Sequence, residues 1–287
     1  MQLRASAITY LFSMKYSHLV CFIALTVTVS CQGPSFLWTN SESHFLQVIE
    51  TPTGNDFTQV SGRGNHSVAL RADGSLVSWG YDGDLQVTDT PTSYRWLDRY
   101  FIQISGGNNH SVALRADGTL ASWGWDGEGQ VSNTPTTNNF TQVSAGAGHS
   151  VALRADGSLV SWGSNYGYGQ VSNTPTGNDF TQVSAGEYHS VALRADGSLV
   201  SWGADSELQV TDTPTGNDFT QVSAGISLSI ALRADGSLVS WGRDPHGKIL
   251  DTPTGHDFTQ VSAGSQFSVA LRTDGSLVSW GDDWGSR

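Results

Sequence analysis

The chain has 287 residues and a formal net charge of −12 at pH 7, and 38% of its residues are hydrophobic. Length alone would suggest two domains of ordinary size. A surface this acidic repels phosphate backbones and anionic lipid headgroups, which argues against nucleic acid as a partner. Both cysteines lie near the N-terminus, so the rest of the chain has no disulfide framework.

The N-terminal segment has the features of an export signal. Residues 19–29 are almost wholly apolar and follow Lys15. A run of this length suits the core of a secretory signal and is too short to span a bilayer. We therefore predict a signal peptide or a lipoprotein signal at residues 1–33, and a secreted, periplasmic or cell-surface protein.

The residues before Cys31 leave the processing of this segment open. Thr28-Val29-Ser30-Cys31 loosely resembles a lipoprotein cleavage site with Cys31 as the lipidated residue, although Thr28 departs from the usual leucine or valine. Ordinary signal cleavage near Ser30 and a degraded first repeat are the alternatives. A lipid anchor on Cys31 is the only membrane attachment that the sequence predicts.

Residues 34–287 form one repeat array, which overrules the estimate of two domains. The segment from His149 to Gly163 recurs, barely altered, five more times. Its Trp-Gly landmark recurs at intervals of 39 to 44 residues, and Trp38 marks a partial copy 41 residues before the first. The six repeated tryptophans, which we interpret as packing residues between blades, are Trp79, Trp123, Trp162, Trp202, Trp241 and Trp280.

The third copy, residues 138–173, illustrates the structure that one repeat predicts. Phe140-Thr141-Gln142-Val143 alternates in polarity and is typical of a short strand. The β-rich runs on either side of Ala155-Asp156-Gly157 predict a hairpin, because the loop between them ends in Asp-Gly. Gln170-Val171 is predicted as a fourth strand, and no part of the unit has helical spacing.

The hairpin loop determines how the repeats pack. A three-residue loop with Gly157 at positive φ places Ser67 opposite Trp79, whereas a two-residue turn would place Val68 there. Both faces of the hairpin are largely apolar, so both must be buried, and a ring of stacked sheets achieves this. We therefore predict an all-β fold, a β-propeller of about seven four-stranded blades, from six full repeats plus a partial N-terminal one.

Closure of this ring is not determined by the repeat count. Residues 34–287 amount to about six and a half repeats of 39 residues. The last copy stops after Gly281 without its own Gln-Val and Thr-Pro-Thr-Gly segments, which Leu46-Gln47-Val48 and residues 51–54 could supply by exchanging strands between the two ends. Truncation of a longer gene is the alternative.

The landmarks Gly-x-x-His-Ser-Val-Ala-Leu, Asp-Gly and Ser-Trp-Gly recur, with substitutions, through residues 57–281. This pattern resembles the repeat of the regulator of chromosome condensation family. The resemblance implies a seven-bladed propeller, in a family that includes a secreted bacterial inhibitor of β-lactamases. It does not determine the function, since members serve as exchange factors, enzyme inhibitors, ubiquitin-ligase accessory domains and an ultraviolet receptor.

The repeated polar residues do not predict a catalytic or metal site. His66, His110, His149 and His189 share one repeat position, but equivalent atoms on neighbouring blades lie about 10 Å apart, too far to share one metal ion. The aspartates of the Asp-Gly loops lack the ligand spacing of a calcium loop and are explained by turn chemistry. No nucleophile elbow or glycine-rich phosphate loop is present, so we predict neither an enzyme nor a cofactor.

Two stretches vary between the copies while the rest of the repeat is nearly constant. One follows Ser-Trp-Gly, and the other precedes the hairpin, as in Glu187-Tyr188. The one insertion, residues 93–100, is aromatic and basic. Aromatic residues and arginine are the usual anchors of protein interfaces, so we predict a binding rim of Tyr81, Tyr94, Arg95, Trp96, Trp125, Tyr166, Tyr168 and Trp284.

Together these features predict an exported, monomeric scaffold that binds a protein or glycan partner through the loops of one propeller rim. The alternative is a repeat module truncated from a larger adhesin or multidomain enzyme, with no independent activity. The sequence does not identify the partner.

Overall fold

The computed structural model describes residues 51–92, 100–243, 249–265 and 267–281. Several predictions fall on other parts of the chain. Outside the described residues lie the predicted signal at 1–33, Cys31, Trp38, Tyr94, Arg95, Trp96 and Trp284.

The described residues form strands and no helix, which confirms the all-β prediction. They therefore contain no helical segment long and apolar enough to cross a membrane. Consecutive strands of each repeat form one antiparallel sheet of three strands, and six such sheets, blades 1 to 6, follow one another along the chain. The strands are, in blade 1, β1 (Phe57–Arg63), β2 (His66–Arg71) and β3 (Leu76–Gly80); in blade 2, β4 (Phe101–Gly106), β5 (His110–Arg115) and β6 (Leu120–Gly124); in blade 3, β7 (Phe140–Ala145), β8 (His149–Arg154) and β9 (Leu159–Gly163); in blade 4, β10 (Phe180–Ala185), β11 (His189–Arg194) and β12 (Leu199–Gly203); in blade 5, β13 (Phe219–Ala224), β14 (Leu228–Arg233) and β15 (Leu238–Gly242); and in blade 6, β16 (Phe258–Ala263), β17 (Phe267–Arg272) and β18 (Leu277–Gly281).

The predicted hairpin register is confirmed. Ser67 lies directly opposite Trp79, and the equivalent pairing recurs in the other five blades. The loop closes with Gly157 at a φ of 81°, a backbone conformation that only glycine adopts without strain. The side chain of Asp156 accepts a hydrogen bond from the backbone N–H of Ser158 at 2.9 Å, which explains the aspartate by turn chemistry.

The predicted fourth strand at Gln170-Val171 is wrong, because these residues lie in a turn and each described sheet has three strands. The side-chain oxygen of Asn165 accepts the backbone N–H groups of Val171 and Ser172 at 2.9 and 3.1 Å. Those amides are therefore unavailable to a strand ladder. Gln170 is buried instead, at 1% exposure, beneath the turn.

Neighbouring blades pack through a repeated set of apolar and polar contacts. The indole Nε1 of Trp202 donates to the carbonyl of Gln170 in the preceding blade at 2.9 Å, which confirms the packing role of the tryptophans. The side-chain oxygen of Gln142 accepts the N–H of Val183 in the next blade at 3.0 Å. Between blades 4 and 5 the buried apolar side chains are Val191, Leu193, Leu199, Phe219, Val222, Ala224, Ala231 and Trp241.

The first strand of each blade lies innermost, next to the first strand of the following blade. Arg63 leaves the end of β1 and reaches across this central space. Its Nη1 donates to the carbonyls of Ala145 and Ala185 at 3.2 and 3.1 Å. Desolvation lowers the pKa of Arg63 to about 10, against the opposing charge of Glu187. The six blades therefore curve around a central axis, as in a propeller.

The outer faces of blade 1 and blade 6 have no neighbouring blade among the described residues. Leu277 in blade 6 is 59% exposed, whereas the equivalent Leu199 in blade 4 is 9% exposed. Trp79 in blade 1 is only partly buried, whereas Trp123 is 2% exposed. The strand exchange predicted to complete the ring involves residues 46–48, which lie outside the described residues, and it stays a prediction.

Candidate functional site

The two variable stretches of the repeat lie side by side on one face of the propeller. In blades 1 to 5, the backbone N–H of the residue after Trp-Gly donates to the carbonyl of the residue just before the hairpin of the same blade. The Ala204 N–H donates to the carbonyl of Tyr188 at 2.7 Å, and the Ser164 N–H donates to that of Gly148 at 2.8 Å. The Asp-Gly loops lie at the opposite ends of the strands. The two variable stretches of each of blades 1 to 5 therefore lie on the same face.

Three tyrosines project from this face. Tyr166, Tyr168 and Tyr188 are 63, 48 and 44% exposed. The ring centroids of Tyr168 and Tyr188 lie 5.7 Å apart at an angle of 49°, so blades 3 and 4 together form the pair. We call the surface formed by Tyr166, Tyr168, Tyr188, Glu128, Glu187 and Leu208 the tyrosine face.

Tyr168 and Tyr166 were predicted from the sequence as rim residues, whereas Tyr188 was not. The signal that could have found it was present, because Glu187-Tyr188 is one of the variable stretches. The sequence alone does not show that this stretch lies beside the preceding blade. The Tyr166 hydroxyl likewise crosses to blade 2, where it donates to Glu128 Oε1 at 2.5 Å.

Two other predicted rim residues do not project. The rings of Tyr81 and Trp125 fold back over Gly83 and Gly127 of their own turns. A Cβ added at Gly127 would meet Trp125 Cζ2 at 2.5 Å, and one added at Gly83 would meet the Tyr81 hydroxyl at 2.0 Å. Both aromatic side chains are partly buried against their own turns. Their positions therefore do not support the prediction that they are interface anchors.

Two leucines with unfavourable backbone angles lie on the same face of the propeller as the tyrosines. Leu85 and Leu208 have φ angles of 64° and 62°, where the equivalent residues of the neighbouring turns are Gly129 and Gly169. Each leucine is 49% exposed. A leucine at positive φ is unfavourable, and strain of this kind is concentrated at functional sites. Of the eight exposed large hydrophobic residues in the described part of the chain, five lie on this face: Leu85, Tyr166, Tyr168, Tyr188 and Leu208.

Carboxylates flank the tyrosines and affect their acidity. A hydrogen bond to Glu128, together with its negative charge, raises the pKa of Tyr166. The charge of Glu187 raises the pKa of Tyr188. Both shifts have the sign expected when a neighbouring anion disfavours the tyrosinate form.

The repeated histidines form cross-blade hydrogen bonds. The Nε2 atoms of His66, His110, His149 and His189 lie 2.7 to 2.9 Å from a serine Oγ of the next blade. Desolvation lowers the pKa of His66 to about 4 and that of each of the other three to about 3. Within the described ranges, no three His, Cys, Asp or Glu side chains are grouped closely enough to hold a metal ion.

Comparison with known proteins identifies the repeat. Residues 101–130, 140–170, 180–209 and 258–283 match the regulator of chromosome condensation (RCC1) repeat. The fold and these matches define an all-β propeller of repeated blades. These four stretches confirm the resemblance to the regulator of chromosome condensation repeat that the sequence predicted. No curated protein matches the sequence significantly.

Solved structures of related architecture support the fold. The ectodomain of the Physcomitrella patens receptor kinase CR4 is 25% identical with a TM-score of 0.68, over 83% of this chain and 65% of that one. This chain thus spans just under two thirds of that ectodomain. The CRINKLY WD40 ectodomain of the Arabidopsis thaliana receptor kinase ACR4 is 22% identical with a TM-score of 0.66, over 84% of this chain and 87% of that one. Yeast RCC1 (Prp20), whose structure was solved bound to Kap60, is 22% identical with a TM-score of 0.64, over 78% of this chain and 70% of that one.

Proposed function

We propose that this chain is an exported, non-catalytic scaffold that binds a protein partner through the tyrosine face. The observation that carries the proposal is the Tyr168–Tyr188 pair, in which the two variable stretches of the repeat meet at 5.7 Å. Exposed tyrosines have large contact area and few rotatable bonds, which makes them effective interface anchors. Five of the eight exposed large hydrophobic residues in the described part of the chain lie on the same face.

Export is proposed from the signal predicted at residues 1–33. The likeness to the CR4 receptor ectodomain is in keeping with an extracellular location. A glycan partner, the other class considered for this surface, would also stack on tyrosines. The protein partner is preferred because the face extends over several blades, from Glu128 in blade 2 to Leu208 in blade 4.

The repeat provides substitutions that change the face and keep the fold. Tyr168→Glu introduces the residue found at the same position in the turns of blades 2 and 4, Glu128 and Glu207. The double change E187A/Y188G copies Ala147-Gly148 of blade 3. Leu208→Gly copies Gly129 and Gly169. We expect each of the first two to weaken binding of a cross-linked and purified partner at least tenfold, since interface anchors contribute about 2 kcal/mol or more, with the melting temperature nearly unchanged.

Leu208→Gly distinguishes function from folding. Glycine removes the strain at positive φ, so the variant should be as stable as the natural chain or more stable, and yet bind the partner more weakly. Ile102→Thr is the matched control. It replaces another exposed hydrophobic residue, 50% exposed and away from the tyrosine face, by the threonine of the other five repeats. If Ile102→Thr weakens binding and the three face variants do not, the proposed site is wrong.

A further inference from the structure

The face opposite the tyrosine face shows how this fold accommodates cations. In every blade the repeated arginine lies over the ring of the first-strand phenylalanine, with its guanidinium carbon 4.6 to 5.6 Å from the ring centroid. In four blades a carboxylate completes the arrangement. Arg194, for example, lies 4.6 Å from the Phe180 centroid and 2.7 Å from the Asp179 carboxylate.

The tyrosine face has the same two kinds of group without the cation. Tyr168 and Tyr188 supply aromatic rings, and Glu187 supplies a carboxylate next to them. Among the described residues, no basic side chain lies within 4.0 Å of the carboxylate of Glu187 or Glu128. Arg63, whose pKa is lowered by desolvation against the opposing charge of Glu187, is directed across the central space, where it donates to two backbone carbonyls. Arg243 lies 3.6 Å from the carboxylate of Glu207.

We infer, on the basis of the proposed function, that the partner supplies this cation: an arginine of a basic segment lies over the exposed rings of Tyr168 and Tyr188 and pairs with the carboxylate of Glu187. The ring quadrupole attracts a guanidinium within about 6 Å of the centroid. The guanidinium plane also suits a carboxylate, with which it forms paired hydrogen bonds.

The electrostatics of the face agree with a cationic occupant. The raised pKa values of Tyr166 and Tyr188 report a negative potential at their hydroxyls. The formal net charge of −12 extends this potential over the molecule and steers a basic segment towards it. A second carboxylate, Glu128, lies beyond Tyr166 and is positioned for a second basic residue of the same segment.

The test uses synthetic probes and the whole chain. A fluorescein-labelled peptide of alternating arginine and glycine is compared with the same peptide in which citrulline, the neutral isostere, replaces every arginine. We expect the arginine peptide to bind at least tenfold more tightly by fluorescence anisotropy at low salt. E187Q should reduce this preference at least threefold, and E187A/Y188G should abolish it.

Asp218→Asn is the control for net charge, because it removes one carboxylate from the opposite face, where Asp218 pairs with Arg233. It should leave the preference for arginine unchanged. Equal binding of the citrulline peptide, or equal losses in D218N and E187Q, would overturn the inference. So would a neutral oligosaccharide that binds through Tyr188 while the arginine peptide does not.

The inference and the proposed function fail in different ways. If the purified partner depends on Tyr168 and Tyr188, but its affinity is the same for E187Q and insensitive to salt, the proposed function stands and the arginine is excluded. If E187A/Y188G leaves the affinity for the partner unchanged, both are wrong.

Discussion

Leu159→Ala should lower the free energy of unfolding by about 2–5 kcal/mol, the usual cost of removing a buried leucine side chain. Leu159 is 8% exposed and packs against the first strand of blade 4. Leu277→Ala makes the same chemical change at the equivalent position of blade 6, where the side chain is 59% exposed. We expect it to cost less than about 0.5 kcal/mol.

Urea unfolding followed by circular dichroism measures both variants under the same conditions. The difference between the two losses of unfolding free energy reports the contribution of the interface between blades, because the residue type, the strand and the hairpin register are the same at both positions. A cost for Leu277→Ala close to that for Leu159→Ala would contradict the exposure of Leu277 among the described residues and indicate that a part of the chain outside them covers this face.

Acid should destabilise the protein steeply below pH 6.5. The pKa of His66 is lowered to about 4 and those of His110, His149 and His189 to about 3, so these side chains are neutral in the folded state and take up protons when the chain unfolds. Because the folded pKa lies below the unfolded one, their contribution to stability is complete above pH 6.5 and is lost as the pH falls towards 3. Near pH 5 the four histidines together should contribute a slope of about 5–6 kcal/mol per pH unit.

His149→Leu checks this slope, because Leu228 already occupies the equivalent position in blade 5 and is 1% exposed there. The variant should lose one proton from the uptake on unfolding, so that the slope falls by about 1.4 kcal/mol per pH unit. The substitution removes the hydrogen bond between His149 and the Oγ of Ser190. The natural chain already has this arrangement next to Leu228, where the buried Oγ of Ser268 has no hydrogen-bond partner. An unchanged slope would mean that the histidines titrate normally in the folded state.

The local structure of the repeat was predictable because each feature that determines it involves residues close together in the sequence. Asp-Gly determined the hairpin loop, and the loop length placed Ser67 opposite Trp79 without reference to any other blade. The prediction of a fourth strand was wrong for a reason that is equally local in sequence but involves a side chain. Asn165 binds the amides of residues 171 and 172 with its side chain, and the strand pattern of Gln-Val contains no sign of this competition.

The candidate site was predictable only in part, because it depends on contacts between repeats. Variation between copies pointed to Tyr166 and Tyr168. The pairing of Tyr168 with Tyr188 depends on the position of blade 4 beside blade 3, which no local pattern contains. Tyr81 and Trp125 carried the same aromatic signal, but a glycine two residues later lets each ring fold back onto its own turn.

Hydroxyl-radical footprinting of the complex with the purified partner reports the solvent access of individual tyrosines. We expect Tyr166, Tyr168 and Tyr188 to become protected on binding. Tyr100, which lies on the opposite face beside the Asp-Gly loop of blade 1, should react as it does in the free protein. Protection of Tyr100 with unchanged oxidation of the three tyrosines would place the partner on the other face and exclude the tyrosine face as the binding site.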